Sequence, residues 1–155
     1  MGERQIILWR HGRTSWNAER RFQGQSDIEL DDEGRAQAER AAELLAYLEP
    51  DRIIASDLAR AWATAQALSA RTGVHVTADA RLRETFAGEW EGLSRAELLE
   101  RHGDEVARWA SDSAARPGGG ETRIEVADRV VAAITDGLDE VAESGTLVVA
   151  THGGA

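Results

Sequence analysis

Two short, mostly apolar runs, at residues 5–9 and 146–151, lead into His-Gly, the first through Arg10 and the second directly, one near each end of the chain. That pairing constrains the fold more than any other feature of the sequence. In an open α/β sheet the strands are parallel, and ligands bind in the crevice at their carboxyl ends. Strands that end on His11-Gly12 and His152-Gly153 therefore bring two imidazoles to one edge. Arg10 adds a planar fork of donors suited to phosphate. Gly12 reads as the residue that lets the backbone turn sharply and approach a ligand.

The stretches between these runs alternate helix and strand. Residues 5–9 read as a buried strand, and residues 12–32 as a long irregular loop over the crevice. A loop of that length without regular structure is usually functional. A helix is predicted over residues 32–48, with Ala41, Leu44, Leu45 and Leu48 on its apolar stripe and Pro50 beyond its end. A second strand covers residues 52–56. Asp57 is placed to cap a helix over residues 59–70, and residues 74–78 alternate as a third strand. Residues 81–92 form another long loop. Ser94 and Glu97 make a capping box for a helix to about residue 110, and Thr122 and Glu125 make another. The second helix is expected to face the core through Ala127, Val130, Val131, Ile134, Leu138 and Val141. Residues 117–120, Pro-Gly-Gly-Gly, read as a flexible hinge. Such a βαβα alternation argues for an α/β fold, a three-layer α/β/α sandwich around a mostly parallel sheet.

Composition narrows the chemistry. The chain's 155 residues suit one domain with a single core. It contains no cysteine, which removes disulfides, thiol catalysis and cysteine metal sites. All 18 basic residues are arginine, so neither a P-loop lysine nor a Schiff base is available. A formal charge of -10 disfavours nucleic-acid or anionic-membrane partners. No apolar run is long enough to span a bilayer. These features fit a cytoplasmic protein. An acidic protein that handles phosphate must gather its arginines locally, and Arg10, Arg13, Arg20 and Arg21 cluster in sequence around His11.

The second strand ends at Ser56, and Arg60 lies one helical turn beyond it, able to point back at the same edge. Glu84 lies in the loop after the third strand. Two histidines, two arginines and a carboxylate can thus converge on one crevice. Taken singly, Arg60 reads first as a solvated helix residue, and Glu84 competes with its loop neighbours Glu89 and Glu91. His75 and His102 read as structural or solvent-facing. The tryptophans read mostly as core, with Trp16 and Trp90 as candidate pocket walls.

With these motifs in order, the sequence resembles the histidine phosphatase superfamily, the phosphoglycerate mutase-like proteins. The resemblance runs through Leu8-Trp-Arg-His-Gly-Arg-Thr14, Arg21-Phe-Gln-Gly24, Ser56-Asp-Leu-Ala-Arg-Ala61, Leu82-Arg-Glu84, Gly88-Glu-Trp-Glu-Gly92 and Thr151-His-Gly-Gly154. It implies a phosphoglycerate mutase-like fold, with His11 as the phosphorylated nucleophile. Arg10, Arg60 and His152 would form the phosphate pocket, and Glu84 would be the general acid. For that role Glu84 must carry a proton, which burial or phosphate charge would favour. Thr14, Asn17, Arg21, Gln23, Gly24 and Gly153 fall where relatives contact substrate. No metal and no cofactor is implied, because arginines and His152 supply the charge stabilisation.

The implied activity is hydrolysis of small phosphomonoesters through a phosphohistidine. Residues 93–145 hold only two helices and a Pro-Gly stretch, which leans away from a cofactor-dependent mutase. That mutase remains one alternative, and a non-catalytic phospho-ligand module is the other. The chain reads as a single domain over residues 1–155 that lacks a C-terminal helix and strand portion. On that reading residues 147–150 lose part of their cover and His152 lies near a fraying end. The exposed face would then favour self-association, with weakened or no activity.

Overall fold

The structure, a computed structural model, describes residues 2–155. Strands β1 (Gln5–Arg10), β2 (Arg52–Ala55), β3 (Val76–Ala78) and β4 (Thr146–Thr151) form one sheet in the order β1-β4-β2-β3, each pairing parallel. The register pairs Arg10 with Thr151, and Ala55 with Ala150. His11, Ser56 and His152 are therefore the first residues beyond one edge of the sheet.

The helices are α1 (Ser15–Ala18), α2 (Asp32–Ala46), α3 (Ala59–Thr72), α4 (Arg95–Ser111) and α5 (Arg123–Asp139). Because side chains alternate across a strand, β4 feeds two cores at once. Val148 and Ala150 join Trp9, Ile53, Ala42 and Leu68 on the side of α2 and α3. Leu147 and Val149 join Ile54, Val126, Val130 and Ala133 on the side of α5. The three-layer α/β/α arrangement expected from the alternation is present. A smaller cluster of Trp90, Leu98, Phe22, Val106 and Trp109 packs α4 beyond the sheet edge.

Several local expectations are corrected. The 12–32 loop contains α1, capped by Thr14 and Asn17 in a capping box. Helix α2 buries Gly34, Ala38 and Ala42, whereas Leu44 is 71% exposed. Small residues win that face because α2 lies close against α3. On α5 the buried stripe is Val126, Val130, Ala133 and Gly137, while Ala127 and Val131 face outward. Asp57 does not cap α3, since both its oxygens are taken by Arg83, at 2.7 and 2.6 Å. The first amide of α3 is instead capped by Asp27, with Ala59 N donating to Oδ1 at 2.7 Å. The third strand is shorter than predicted, and His75 precedes it, exposed.

Strand β1 is an edge strand, with Leu8 65% exposed, where a buried strand was expected. Conversely, residues 147–150 keep their cover: all four are fully buried between β1, β2 and the two helical layers. His152 is only 4% exposed.

The Pro-Gly stretch is not a hinge. Pro117 and Gly118 are buried, and Gly118 has φ 58°. A Cβ on Gly118 would collide with the carbonyl of Ala87 and the amide of Trp90. Gly119 also has positive φ, 77°, but faces open space. Gly118→Ala should therefore destabilise the protein by roughly 1–3 kcal/mol more than Gly119→Ala, the added cost of overpacking. Equal urea midpoints for the two variants would restore the hinge reading.

Candidate active site

The sheet edge opens into a cavity of about 350 Å³. It is lined by Arg10, His11, Arg60 and Glu84, by Asn17, Arg21, Gln23 and Gly24, and by Gly153 and Gly154, with Phe22 and Trp109 as aromatic walls. Nine of the eleven residues singled out from the sequence thus border one space. The other two, His152 and Thr14, lie behind it.

His11 is fixed from both sides. Its amide donates to Thr151 O at 3.1 Å, continuing the β1–β4 ladder. Its Nδ1 lies 2.6 Å from Gly12 O. A carbonyl only accepts, so Nδ1 carries the proton and Nε2 keeps its lone pair. Burial, with Arg60 and Arg10 nearby, pushes the imidazole pKa down to about 4. His11 is therefore neutral near pH 7. Gly12 has a different reason to be glycine than close approach to a ligand. A Cβ there would strike the backbone of Gly34 at the start of α2, and one on Gly34 would strike Arg13.

His152 packs edge-on against His11, ring centroids 5.1 Å apart. Its Nε2 lies 2.7 Å from Ser56 Oγ, and its buried Nδ1 has no partner in the protein. Burial first, then Arg60 and His11, hold its pKa down to about 2, so it too is neutral. A neutral imidazole offers one N–H donor and no positive charge.

Arg60 is wholly buried, which rules out the solvated-helix reading. Its Nη1 and Nη2 each donate at 2.7 Å, to Ser26 O and Gly24 O, while Nε has no partner. Burial lowers its pKa, and Glu84 is the largest opposing influence. Arg10 forms no salt bridge among the described residues and lies against Gly153. Two guanidinium groups therefore border the cavity without a direct carboxylate partner.

Glu84 Oε1 accepts from Thr85 N at 2.7 Å, and Oε2 accepts from Gly154 N at 3.1 Å. Its rivals occupy other places. Glu89 lies in a separate 3-10 turn and does not line the cavity. Glu91 bolts two loops together, accepting from Gln25 N, Ser26 Oγ and Ala87 N.

Thr14 is fully buried; its amide donates to Asn17 Oδ1 at 2.9 Å and its hydroxyl to Gln23 Oε1 at 2.7 Å, so it shapes the site from behind. Those contacts occupy both amide oxygens. Asn17 and Gln23 are left to present their NH2 groups to the cavity they line. Arg21 has Nε on Glu19 and Nη1 on Gly92 O, so much of its donor capacity is committed to the protein. Trp90 is core and Trp16 packs on Gly92, so neither is the pocket wall expected. Ser56, Phe22, Trp109 and Gly154 were not singled out from the sequence. Of these, Ser56 carried a positional signal, as the residue ending β2 at the sheet edge, and Phe22 and Gly154 stood within the motifs that carry the family resemblance.

The chain matches the description "Histidine phosphatase superfamily (branch 1)" over residues 6–155. It belongs to the histidine phosphatase superfamily. Among its relatives is the glucosyl-3-phosphoglycerate phosphatase of Mycolicibacterium vanbaalenii, 40% identical over 160 aligned positions, covering 99% of this chain and 71% of the relative. The Mycobacterium tuberculosis protein of the same name is 45% identical over 130 positions, covering 83% of this chain and 58% of the relative. A solved mycobacterial glucosyl-3-phosphoglycerate phosphatase in complex with VO3 superposes with a TM-score of 0.89 at 40% identity, covering 96% of this chain and 76% of that one. The chain thus spans 58 to 71% of the length of these curated relatives. No helix of the described residues is long and apolar enough to cross a membrane.

The neutral histidines make stability depend on pH. In the unfolded chain both protonate near pH 6.5, whereas in the fold they stay neutral down to about 4 for His11 and about 2 for His152. Between these values the unfolded state binds more protons, so stability falls as pH drops from 6.5 towards 4. Each histidine contributes a slope of up to ~1.4 kcal/mol per pH unit. Denaturation free energies measured across that window should slope about half as steeply in His152→Asn. An unchanged slope would mean that His152 takes up its proton normally.

Proposed function

We propose that the chain is a metal-independent phosphomonoester hydrolase that acts on small phosphorylated metabolites through a phosphohistidine at His11. The observation that carries this reading is the state of His11. It is neutral, its Nδ1 proton is donated to Gly12 O, and its Nε2 lone pair is left for a cavity bordered by Arg10, Arg60 and Glu84.

The substrate's phosphoryl oxygens are taken by Arg10 and Arg60, which line the cavity. His152 backs His11 from behind it, with Ser56 O–H donating to Nε2 so that Nδ1 carries the proton. His11 Nε2 attacks phosphorus, and the bond to the leaving oxygen breaks. Glu84 passes its proton to that oxygen, and the alcohol departs. In the second step the Glu84 carboxylate takes a proton from water, the water oxygen attacks phosphorus, and the P–N bond returns its electrons to Nε2. Inorganic phosphate is released. Fixed donors aimed at the equatorial oxygens stabilise charge in both transition states. Asn17 and Gln23 add neutral donors at the rim. Substrates of the glucosyl-3-phosphoglycerate type, named for the relatives, head the screen, and a small-metabolite substrate suits a cytoplasmic setting.

The reading is tested by a hydrolysis screen over phosphomonoesters beside an assay for phosphoglycerate interconversion. His11→Ala should abolish turnover and the acid-labile phosphate trapped on the enzyme. Full activity in that variant, or loss of activity on adding EDTA, would sink the mechanism. Interconversion faster than hydrolysis would make the protein a mutase.

Glu84→Gln should slow hydrolysis of an alkyl phosphomonoester by roughly 100-fold or more, the usual contribution of general acid catalysis. 4-Nitrophenyl phosphate, whose leaving group needs little protonation, should lose far less. Equal losses on both substrates would give Glu84 a binding role.

A further inference from the structure

We propose that Arg129, locked in place by Glu121, is a positioning residue that aims Glu84 at the leaving oxygen. The inference rests on the acid role of Glu84 given above.

Arg129 projects from α5 into the back of the 81–87 segment. Its Nη1 donates to Arg81 O at 2.8 Å and to Arg83 O at 2.6 Å, and its Nη2 donates to Glu84 O at 2.9 Å. Three carbonyls of one irregular segment thus converge on a single guanidinium. This segment has no strand neighbour to pair with, so without Arg129 those carbonyls would need other donors. The fork is itself pinned. Glu121 takes Nε and Nη2, both at 2.8 Å, in a two-point ion pair.

Glu121 also reaches past Glu84. Its Oε1 accepts from Phe86 N at 2.8 Å. The pair therefore grips the backbone on both sides of the acid, carbonyls up to residue 84 and the amide at 86. Gln25 Nε2 adds a bond to Glu84 O at 3.2 Å, which ties the same point to the loop that holds Arg60. Both side chains of the pair are largely buried, 18% and 22% exposed. Charge-assisted bonds in such surroundings are the strong kind.

The consequence is geometric. Proton transfer needs the carboxyl within hydrogen-bond reach of the leaving oxygen, and an error of about 1 Å can cost roughly 100-fold. Glu84 is held by two amides at its carboxylate, but its main chain is set by Arg129 and Glu121. A lysine at 129 would keep the charge and lose the planar fork that spans three carbonyls and a carboxylate.

The test compares glycerol 2-phosphate, with a poor leaving group, and 4-nitrophenyl phosphate, with a good one. Arg129→Met should lower kcat/KM for glycerol 2-phosphate by roughly 30-fold or more and for 4-nitrophenyl phosphate by less than about 3-fold. Arg129→Lys should fall between. Arg129→Met combined with Glu84→Gln should be no slower than Glu84→Gln alone, to within about 3-fold, because both remove one function. Equal losses on the two substrates, or losses that multiply in the double variant, would overturn the proposal and leave Arg129 as a fold residue. If Arg129→Met fails to fold, Glu121→Gln carries the same two-substrate comparison. Glu84→Gln alone separates the two levels of argument. If it shows no substrate dependence, the acid assignment fails. If it does and the Arg129 and Glu121 variants do not, only the positioning inference fails.

Discussion

The site depends on the parallel pairing of β4 with β1 on one side and β2 on the other. That register ends three strands at one level, so His11, Ser56 and His152 emerge together although they are far apart in sequence. A shift of one residue in either ladder would turn every side chain of the moved strand to the opposite face. The two cores hold the register. Leu147 and Val149 are committed to the α5 side, and Val148 and Ala150 to the side of α2 and α3. The spacing of these three residues is thus a by-product of burying a strand on both faces.

What was legible in the sequence follows from this. β4 is a short run with an apolar centre, Leu147 to Ala150, followed by His-Gly, the pattern of a fully buried strand. His11 and His152 inherit their places from strand ends. Helix faces were less legible, because an apolar stripe does not say which of its residues are small enough for close contact. α2 turns Ala38 and Ala42 inward and leaves Leu44 in water. Asp57 satisfied every local rule for a cap, but Arg83 from a distant loop outbid the helix, and Asp27 supplied the cap instead. The glycines at 118–120 looked like flexibility, although two of them are where backbones touch.

The loops around the cavity share one construction. Their carbonyls and amides are satisfied by charged side chains from elsewhere in the chain: Arg60 for residues 24 and 26, Glu91 for residues 25 and 87, Glu121 for residue 86. No periodicity or short motif announces such contacts. They replace the ladder bonds that regular structure would provide, and they let irregular backbone hold a fixed shape.

Arg60 carries a further consequence. A fully buried guanidinium whose hydrogen bonds go to carbonyls, and not to a carboxylate, is held at a cost in solvation that folding alone does not recover. An aliphatic residue of similar volume would suit the same helix and the same loop more comfortably. The fold therefore carries a built-in conflict between solvating this cation and burying it. Sequences optimised only for thermal endurance would drift towards losing this arginine.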